Sequence, residues 1–592
     1  MRATGFSTPT HPADPTPTAF WLLLLLLAVA VYAWGLGGQY VPTNGDELVY
    51  VHIARKTAES GQWLPLASEL ADTRNTKPPL LFWQAMVAGD WGQHWTMAAL
   101  RAPSLLYTLL ISLAIAYAVR LSTRRWHDGL LAACVYLVFL STFRYNRPYL
   151  TSAPETFWFS LPLFALLWQR IRHPDHGPGW GLHTLLGLGL GLGLAYKSFA
   201  LIAPSAAAWW LALVLSDAHL TWRRVLNHTL RTGFSALLAL GVFALWFALD
   251  PNPTAVWREF IVGENASKFS DARGYWQEAL SFSGSSIWSQ LLAYAVNAGL
   301  LAPAVLGLAW LGLRPSGTLR RSTPQQRILL AWAAVWLVVF LIPSQRSARY
   351  VIPAMPAVAM LLALHWRAIG RHWFIPTLLL SGLAWLVLGR IAWVSHELGL
   401  SSSAELGLTG LAIGLGSAAV VLGFYHPGWT RACAVLAGLT VYATFNLTVA
   451  PLDGPIGRYP ASNLSQLPAG SIAVPNGFNG QFERFEFLLP GHHRFLPYDT
   501  DGRALARARP DQPIPTAAQQ LNDLLATHDA VIWAAPALTQ TTPACLPTCR
   551  IVAQRWHLKS RHLNGEVRLD NLWYPQEWLF RREWLLTRAA GS

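Results

Sequence analysis

A chain of 592 residues has room for several water-soluble domains, yet 53% of it is hydrophobic and only 12% charged, roughly half the charged share of a soluble domain. Such a chain cannot cover its surface with charge unless lipid covers much of it. The net charge of +14 is spread over short loops between apolar runs, which argues against a basic nucleic-acid-binding domain and for membrane orientation.

Apolar runs approaching the roughly 20 residues needed to cross a bilayer recur through the first three quarters of the chain. They fall near 20–38, 101–119, 129–143, 153–169, 182–196, 199–216, 233–250, 286–313, 328–343, 350–365, 373–394, 405–424 and 431–450. The expected architecture is therefore a polytopic α-helical membrane protein of about 13 transmembrane helices. The first run reads as a retained anchor, because further spans follow it and no small-residue cleavage site is evident. The 30 Trp residues suit the headgroup level, where indole rings are favoured.

Lys and Arg in the short loops set the orientation. RLSTRRW at 120–126, QRIR at 169–172, Arg223, Arg224 and Arg231, LRPSGTLRR at 313–321, HWRAIGRH at 365–372 and Arg431 all fall on one side. With the N-terminus cytoplasmic, an odd span count puts residues 451–592 outside. Two outer loops, 39–100 and 251–285, are far longer than the rest, and long polar loops at a surface usually carry function. Within them Glu47 to Ser60 and Trp257 to Phe269 read as amphipathic helices lying on the membrane.

After Pro451 the composition turns polar, with Gly and Pro punctuation. SIAVP at 471–475, AVIWAA at 530–535 and RIVAQRWHL at 550–558 read as strands, and TAAQQLNDLLATH at 516–528 as a helix. The chain thus divides into a membrane domain, 1–450, and a small soluble α/β domain, 451–592. Cys134 and Cys433 lie in apolar runs and read as buried residues. Cys545 and Cys549, in CLPTC, are candidates for a local disulfide if that segment is periplasmic; a metal pair would lack further ligands nearby.

The chemistry concentrates on the outer side. NGDELVY places Asp46 and Glu47 where the chain leaves the first span. Taken alone, an acidic residue there is a common helix N-cap. The order of features says more: an acidic pair, a Gly-Gln-Trp turn at 61–63, and Lys77 directly before two prolines and an aromatic segment. Further on come AYKSFALIAP around Lys197, GENASKF at 263–269 and ARYVIPAMPAVAM at 348–360. Together these resemble the lipid-A aminoarabinose transferases and their protein mannosyltransferase relatives, C-type membrane glycosyltransferases with a periplasmic C-terminal domain.

The resemblance implies a sugar transferred from a polyprenyl-phosphate donor to lipid A, another envelope glycan or a protein, at the periplasmic face of a bacterial inner membrane. It implies catalytic roles for Asp46 and Glu47, with Tyr50 one helical turn on as a supporting aromatic. Lys77, Lys197, Lys268, Arg349 and Tyr350 would hold the donor phosphate, since breaking a sugar–phosphate bond piles negative charge onto the leaving group. Glu155 and Glu264 are supporting carboxylates, Glu264 as a partner of a cation or as a ligand of a divalent metal, whose requirement the residues leave open. The sequence departs from the aminoarabinose pattern at Thr76, where a carboxylate is expected, at Val49, near an expected basic residue, and at Ser152. Glu155 shares a helix face with Ser152 and is a substitute for the missing carboxylate. A transporter or flippase of lipid-linked sugars is the alternative, although transporters put polar residues and paired repeats at mid-membrane, whereas here the charges gather at one face. A ligase of lipid-linked glycans would share the outer-face site.

Overall fold

The computed structural model describes residues 15–40, 45–70, 77–174, 177–265, 275–282, 284–314, 322–465, 467, 470–475, 480–489, 491, 493–498, 515–535, 538–559, 562 and 565–589. Each apolar run is helical. Among the described residues, seven helical stretches are long and apolar enough to cross a membrane: Met97–Thr123, Phe199–Ser216, Trp222–Leu249, Ala293–Leu313, Arg371–Glu397, Ser403–Tyr425 and Thr430–Asp453. Shorter apolar helices, Thr18–Ala33, Trp126–Val138, Trp180–Leu194 and Ala348–Leu364, pack among them.

Local chemistry sets the ends. Thr96 and Thr221 accept the Ala99 and Arg224 backbone N–H groups, and Thr323 with Gln326 and Ser402 with Glu405 form capping boxes, each satisfying N–H groups a helix start leaves orphaned. Thr430–Asp453 is the central helix, with residues such as Val435 and Leu439 fully buried. Its polar side chains tie neighbours to it. Tyr442 donates to the Val138 carbonyl (2.8 Å), Asn446 donates to the Val31 carbonyl (2.8 Å), and Arg147 donates to Asn446 (3.0 Å). The peripheral helices instead turn leucines outward: Leu237 is 71% and Leu411 70% exposed. An apolar rim of this kind is what lipid would cover.

The two ends of the helical body differ. Among the described residues, the Arg-rich stretches near 126, 371 and 431 lie at one of them, where Thr16 lies 3.1 Å from His127, Arg371 donates to Thr430 (2.9 Å) and Arg431 to the Ile369 carbonyl (2.9 Å). The other end carries the long loops and a five-stranded sheet. Its strands are β1 (Ser471–Pro475), β2 (Arg494–Tyr498), β3 (Ala530–Ala534), β4 (Cys549–Leu558) and β5 (Phe580–Arg588), in the order β2-β1-β3-β5-β4. β1 pairs parallel with β2 and β3; β5 pairs antiparallel with β3 and β4. Helix Ala517–Thr527 buries Leu521 and Leu525 against one face, beside the disulfide formed by Cys545 and Cys549. β1, β3, β4 and this helix match the sequence reading. β2 and β5 were not anticipated: β5 is inner yet carries Arg581, Arg582 and Glu583, a charge run that hides its period-2 pattern. Glu583 is fully buried and accepts from Arg555 (2.5 Å) and Tyr459 (2.7 Å).

The sheet domain grips the first long loop. Helix Gly45–Glu59 presents His52 and Arg55 to Glu483, which is fully buried. His52 Nδ1 lies 2.8 Å from one Glu483 oxygen, and Arg55 Nε donates to the other at 2.5 Å. His52 Nε2 accepts the Glu69 backbone N–H at 3.2 Å, so Nδ1 carries the ring proton. Arg55 also reaches Glu486 at 3.0 Å. Burial pushes the Glu486 carboxyl up to about 7, with Arg55 opposing and Glu483 adding to the rise. A raised carboxyl pKa means that the docked state binds the proton more tightly. Its stabilisation is full below the ordinary carboxylate range and is lost as pH rises toward about 7. Protection factors in helix 45–59, corrected for the intrinsic pH dependence of amide exchange, are therefore expected to fall between pH 5 and pH 8, and Glu486→Gln to flatten that trend; an identical profile in the variant would refute the assignment.

Candidate functional site

The sequence-predicted outer residues converge on the sheet-bearing end. Asp46 and Glu47 open helix Gly45–Glu59, Lys77 precedes helix Leu80–Ala88, and Glu155 sits in the first turn of Ser152–Arg172. Lys197 follows helix Trp180–Leu194. Glu264 ends the wide-turned helix Trp257–Asn265, and Arg349 and Tyr350 lie in the tight turn Ala348–Ala354.

Three cation–carboxylate pairs result. Arg349 Nη1 meets Asp46 Oδ2 at 3.3 Å, Lys197 Nζ meets Glu155 Oε1 at 3.5 Å, and Lys77 Nζ donates to Glu264 Oε1. Lys197 also donates to Thr151 at 3.1 Å. Both Tyr50 and Tyr350 feel the charges of Arg349, Glu264 and Glu155, so the pairs surround one region. Burial pushes the Tyr50 hydroxyl far above its ordinary pKa, and Asp46 adds to the rise; it stays a neutral hydroxyl, its ring edge-on to Phe82 at 5.9 Å. All three cations remain 24–28% exposed at their side chains, reachable by a ligand.

Glu47, expected to be catalytic beside Asp46, has different surroundings. It is fully buried, takes Arg101 Nε at 2.7 Å and Nη2 at 3.0 Å, and accepts the Tyr149 backbone N–H at 2.8 Å. Arg101 also donates to the Leu36 and Gly38 carbonyls at 2.8 and 2.6 Å. Consecutive helical residues point about 100° apart, so Asp46 faces the cations while Glu47 is driven into the protein. Through Arg101 and the Tyr149 backbone it links four segments next to Asp46. Glu47→Ala is expected to cost about 3–5 kcal/mol of stability, because it strands a buried guanidinium, whereas replacing Glu47 and Arg101 together by leucines should cost less. Thermal unfolding in detergent measures both; equal costs would reject the pairing argument.

Lys268 and Thr76 lie outside the described residues. Three contributors went unread in the sequence: Tyr145, whose ring carries the Arg349 guanidinium at 4.9 Å; Ser198, which donates to Asn265 at 3.1 Å; and Tyr196, hydrogen-bonded to Gln84 at 2.9 Å. The one available signal was position, since Tyr145 follows an apolar run at its outer end. Among the described residues no group of three His, Cys, Asp or Glu side chains is gathered as a metal site would need.

No family model matches the chain. It is 24% identical over 429 residues, 71% of this chain and 69% of the relative, to the undecaprenyl phosphate-alpha-4-amino-4-deoxy-L-arabinose arabinosyl transferase of Pectobacterium atrosepticum. It is 28% identical over 358 residues, 59% of each chain, to such a transferase of Sodalis glossinidius. Among solved structures, ArnT from Cupriavidus metallidurans bound to undecaprenyl phosphate superposes with a TM-score of 0.56 at 16% identity, covering 96% of this chain and 98% of that one.

Proposed function

We propose that this chain, a glycosyltransferase homologous to the aminoarabinose arabinosyl transferases and built on the ArnT-like C-type fold, moves a sugar from a polyprenyl-phosphate donor to an envelope acceptor. The observation that carries this reading is the set of three cations, Lys77, Lys197 and Arg349, each held by a carboxylate, with one member of each pair close enough to act on both Tyr50 and Tyr350. A donor phosphate entering among them competes with Glu264, Glu155 and Asp46 for those cations. Arg349 then turns to the phosphate, and Asp46 is released toward the acceptor.

In the transfer the acceptor oxygen forms a bond to the anomeric carbon while the anomeric C–O bond to phosphate breaks. The electron pair leaves with the phosphate, which gains a negative charge that the three cations meet as it develops. A hydroxyl acceptor gives its proton to Asp46; a phosphate acceptor needs only orientation. Direct displacement inverts the anomeric centre.

The membrane reading belongs to the same proposal. Thirteen spans with a cytoplasmic N-terminus put the three cations and the sheet domain, 451–592, in the periplasm, supported by the Arg-rich stretches near 126, 371 and 431 at the opposite end. Aminoarabinose, named for the relatives, is the first sugar to test and lipid A the first acceptor. Purified protein in nanodiscs, given undecaprenyl-phosphate-linked sugars and lipid A, is expected to yield sugar-bearing acceptor and free undecaprenyl phosphate by mass spectrometry. Passage of an intact lipid-linked sugar between leaflets without cleavage would overturn it in favour of a flippase.

A further inference from the structure

Where the sheet domain meets the helical body lies a chamber of about 230 Å³. Two of its walls are the stretches just past the span-length helices Arg371–Glu397 and Thr430–Asp453, represented by Leu400, Ile456 and Arg458; β4 and β5 close it with Gln554, Trp556 and Arg582. The chamber therefore sits at the depth where apolar spans end and lipid headgroups begin.

Three arginines, Arg458, Arg555 and Arg582, line it and no carboxylate does. Among the described residues neither Arg458 nor Arg582 has a carboxylate within salt-bridge distance, although Asp453 of the neighbouring span feels the Arg458 charge, and Arg582 Nε is a buried donor without a hydrogen bond. The Arg582 guanidinium is held at 4.9 Å over the Trp556 ring, which fixes its plane without neutralising it. Neighbouring arginines are satisfied: Arg555 pairs with Glu583 at 2.5 Å, and Arg581 donates to the Phe580 carbonyl at 2.8 Å. Arginine cannot shed its proton, so two forks facing one space call for an anion, and their planar geometry fits phosphate oxygens. The floor is apolar. Leu400 packs in one cluster with Val394 and Leu452 of the two spans, and Ile456 packs against it. The volume falls below the roughly 300–1,000 Å³ of pockets that engulf whole small molecules, which suits a headgroup rather than a free glycan.

We propose that this chamber binds the phosphate of an anionic membrane lipid, whose acyl chains leave past Ile456 toward the ends of the spans, and that the lipid bridges the sheet domain to the membrane surface. Basic pockets at helix ends recognise phosphate headgroups in this manner. The chamber shares no lining residue with the Asp46 region, so the inference rests on membrane insertion and not on sugar transfer.

Native mass spectrometry of the full chain, released from phosphatidylcholine nanodiscs doped with phosphatidylglycerol, tests it. The wild type is expected to retain phosphatidylglycerol selectively, and the R458Q/R582Q pair to retain about tenfold less. R582K keeps the charge without the fork and should fall between them; R458Q alone changes an exposed residue, leaves the fold intact, and should also lose retention. Equal retention by R458Q and the wild type would overturn the site. Equal retention of phosphatidylcholine would overturn the requirement for an anionic headgroup. Displacement of the lipid by inorganic phosphate, with phosphate binding lipid-free protein equally well, would overturn the lipid assignment.

Discussion

Asp46→Asn is expected to lower transfer to a hydroxyl acceptor by about 10²–10⁴-fold, the range a positioned general base contributes, while the protein stays inserted and folded. The two carboxylates of the acidic pair differ in what surrounds them. Glu47 is locked by Arg101 and the Tyr149 backbone, whereas Asp46 is 37% exposed at its side chain and meets Arg349 at 3.3 Å, beyond an ordinary charge-assisted contact. A loose pair can part when a donor phosphate draws the arginine away. Asparagine keeps the shape and still accepts from Arg349, but it cannot take a proton. Asp46 also sits in the first turn of its helix, where losing a negative charge costs about 0.3–1 kcal/mol, too little to unfold the protein. The comparison of kcat/KM in nanodiscs also sorts the acceptor: a loss of only a few-fold would mean an acceptor that needs no deprotonation, such as a lipid phosphate. Full activity with every acceptor would remove Asp46 from the chemistry.

Much of this architecture is legible in the sequence, and the reasons are physical. Lipid demands long apolar helices with satisfied backbones, so spans such as 405–424 announce themselves, and Arg-rich connections such as 365–372 mark a common end. Lys197 stood out because a lysine at the end of a glycine-rich apolar run is costly unless it has a task or a partner, and its partner proved to be Glu155. The pairing itself was hidden. Lys77 and Glu264 are separated by 187 residues, and Glu483 reaches back to His52 across 431; no local period links such positions. Arg101 carried a legible hint, being an arginine at the head of an apolar run, where burial requires a carboxylate. That hint would have assigned Glu47 to structure. β5 failed for the opposite reason: its buried Glu583 and Arg581 imitate a solvated edge, because polar groups satisfied by distant partners carry no apolar pattern.

Lys77→Ala is expected to reduce kcat/KM for the polyprenyl-phosphate donor by about 10²–10³-fold, the cost of removing one fixed group that stabilises transition-state charge. The split between constants is the informative part. The donor is a phosphodiester carrying one negative charge, and the departing polyprenyl phosphate carries up to two, so the three cations bind the charge-separated state better than the substrate. Loss of Lys77 should therefore fall mainly on kcat, with a smaller rise in KM, and product inhibition by undecaprenyl phosphate should weaken in step. Lys77 is held by two prolines that fix its turn and by Glu264, with about a quarter of each side chain exposed; it is placed but not sealed. Glu264→Gln makes the complementary test. It frees Lys77 from its carboxylate and should tighten binding of undecaprenyl phosphate, whereas Lys77→Arg keeps the charge and should recover part of kcat. A Lys77→Ala enzyme with unchanged kcat and unchanged product inhibition would show that Lys77 only anchors the loop, and the phosphate would then have to be held by Lys197 and Arg349 alone.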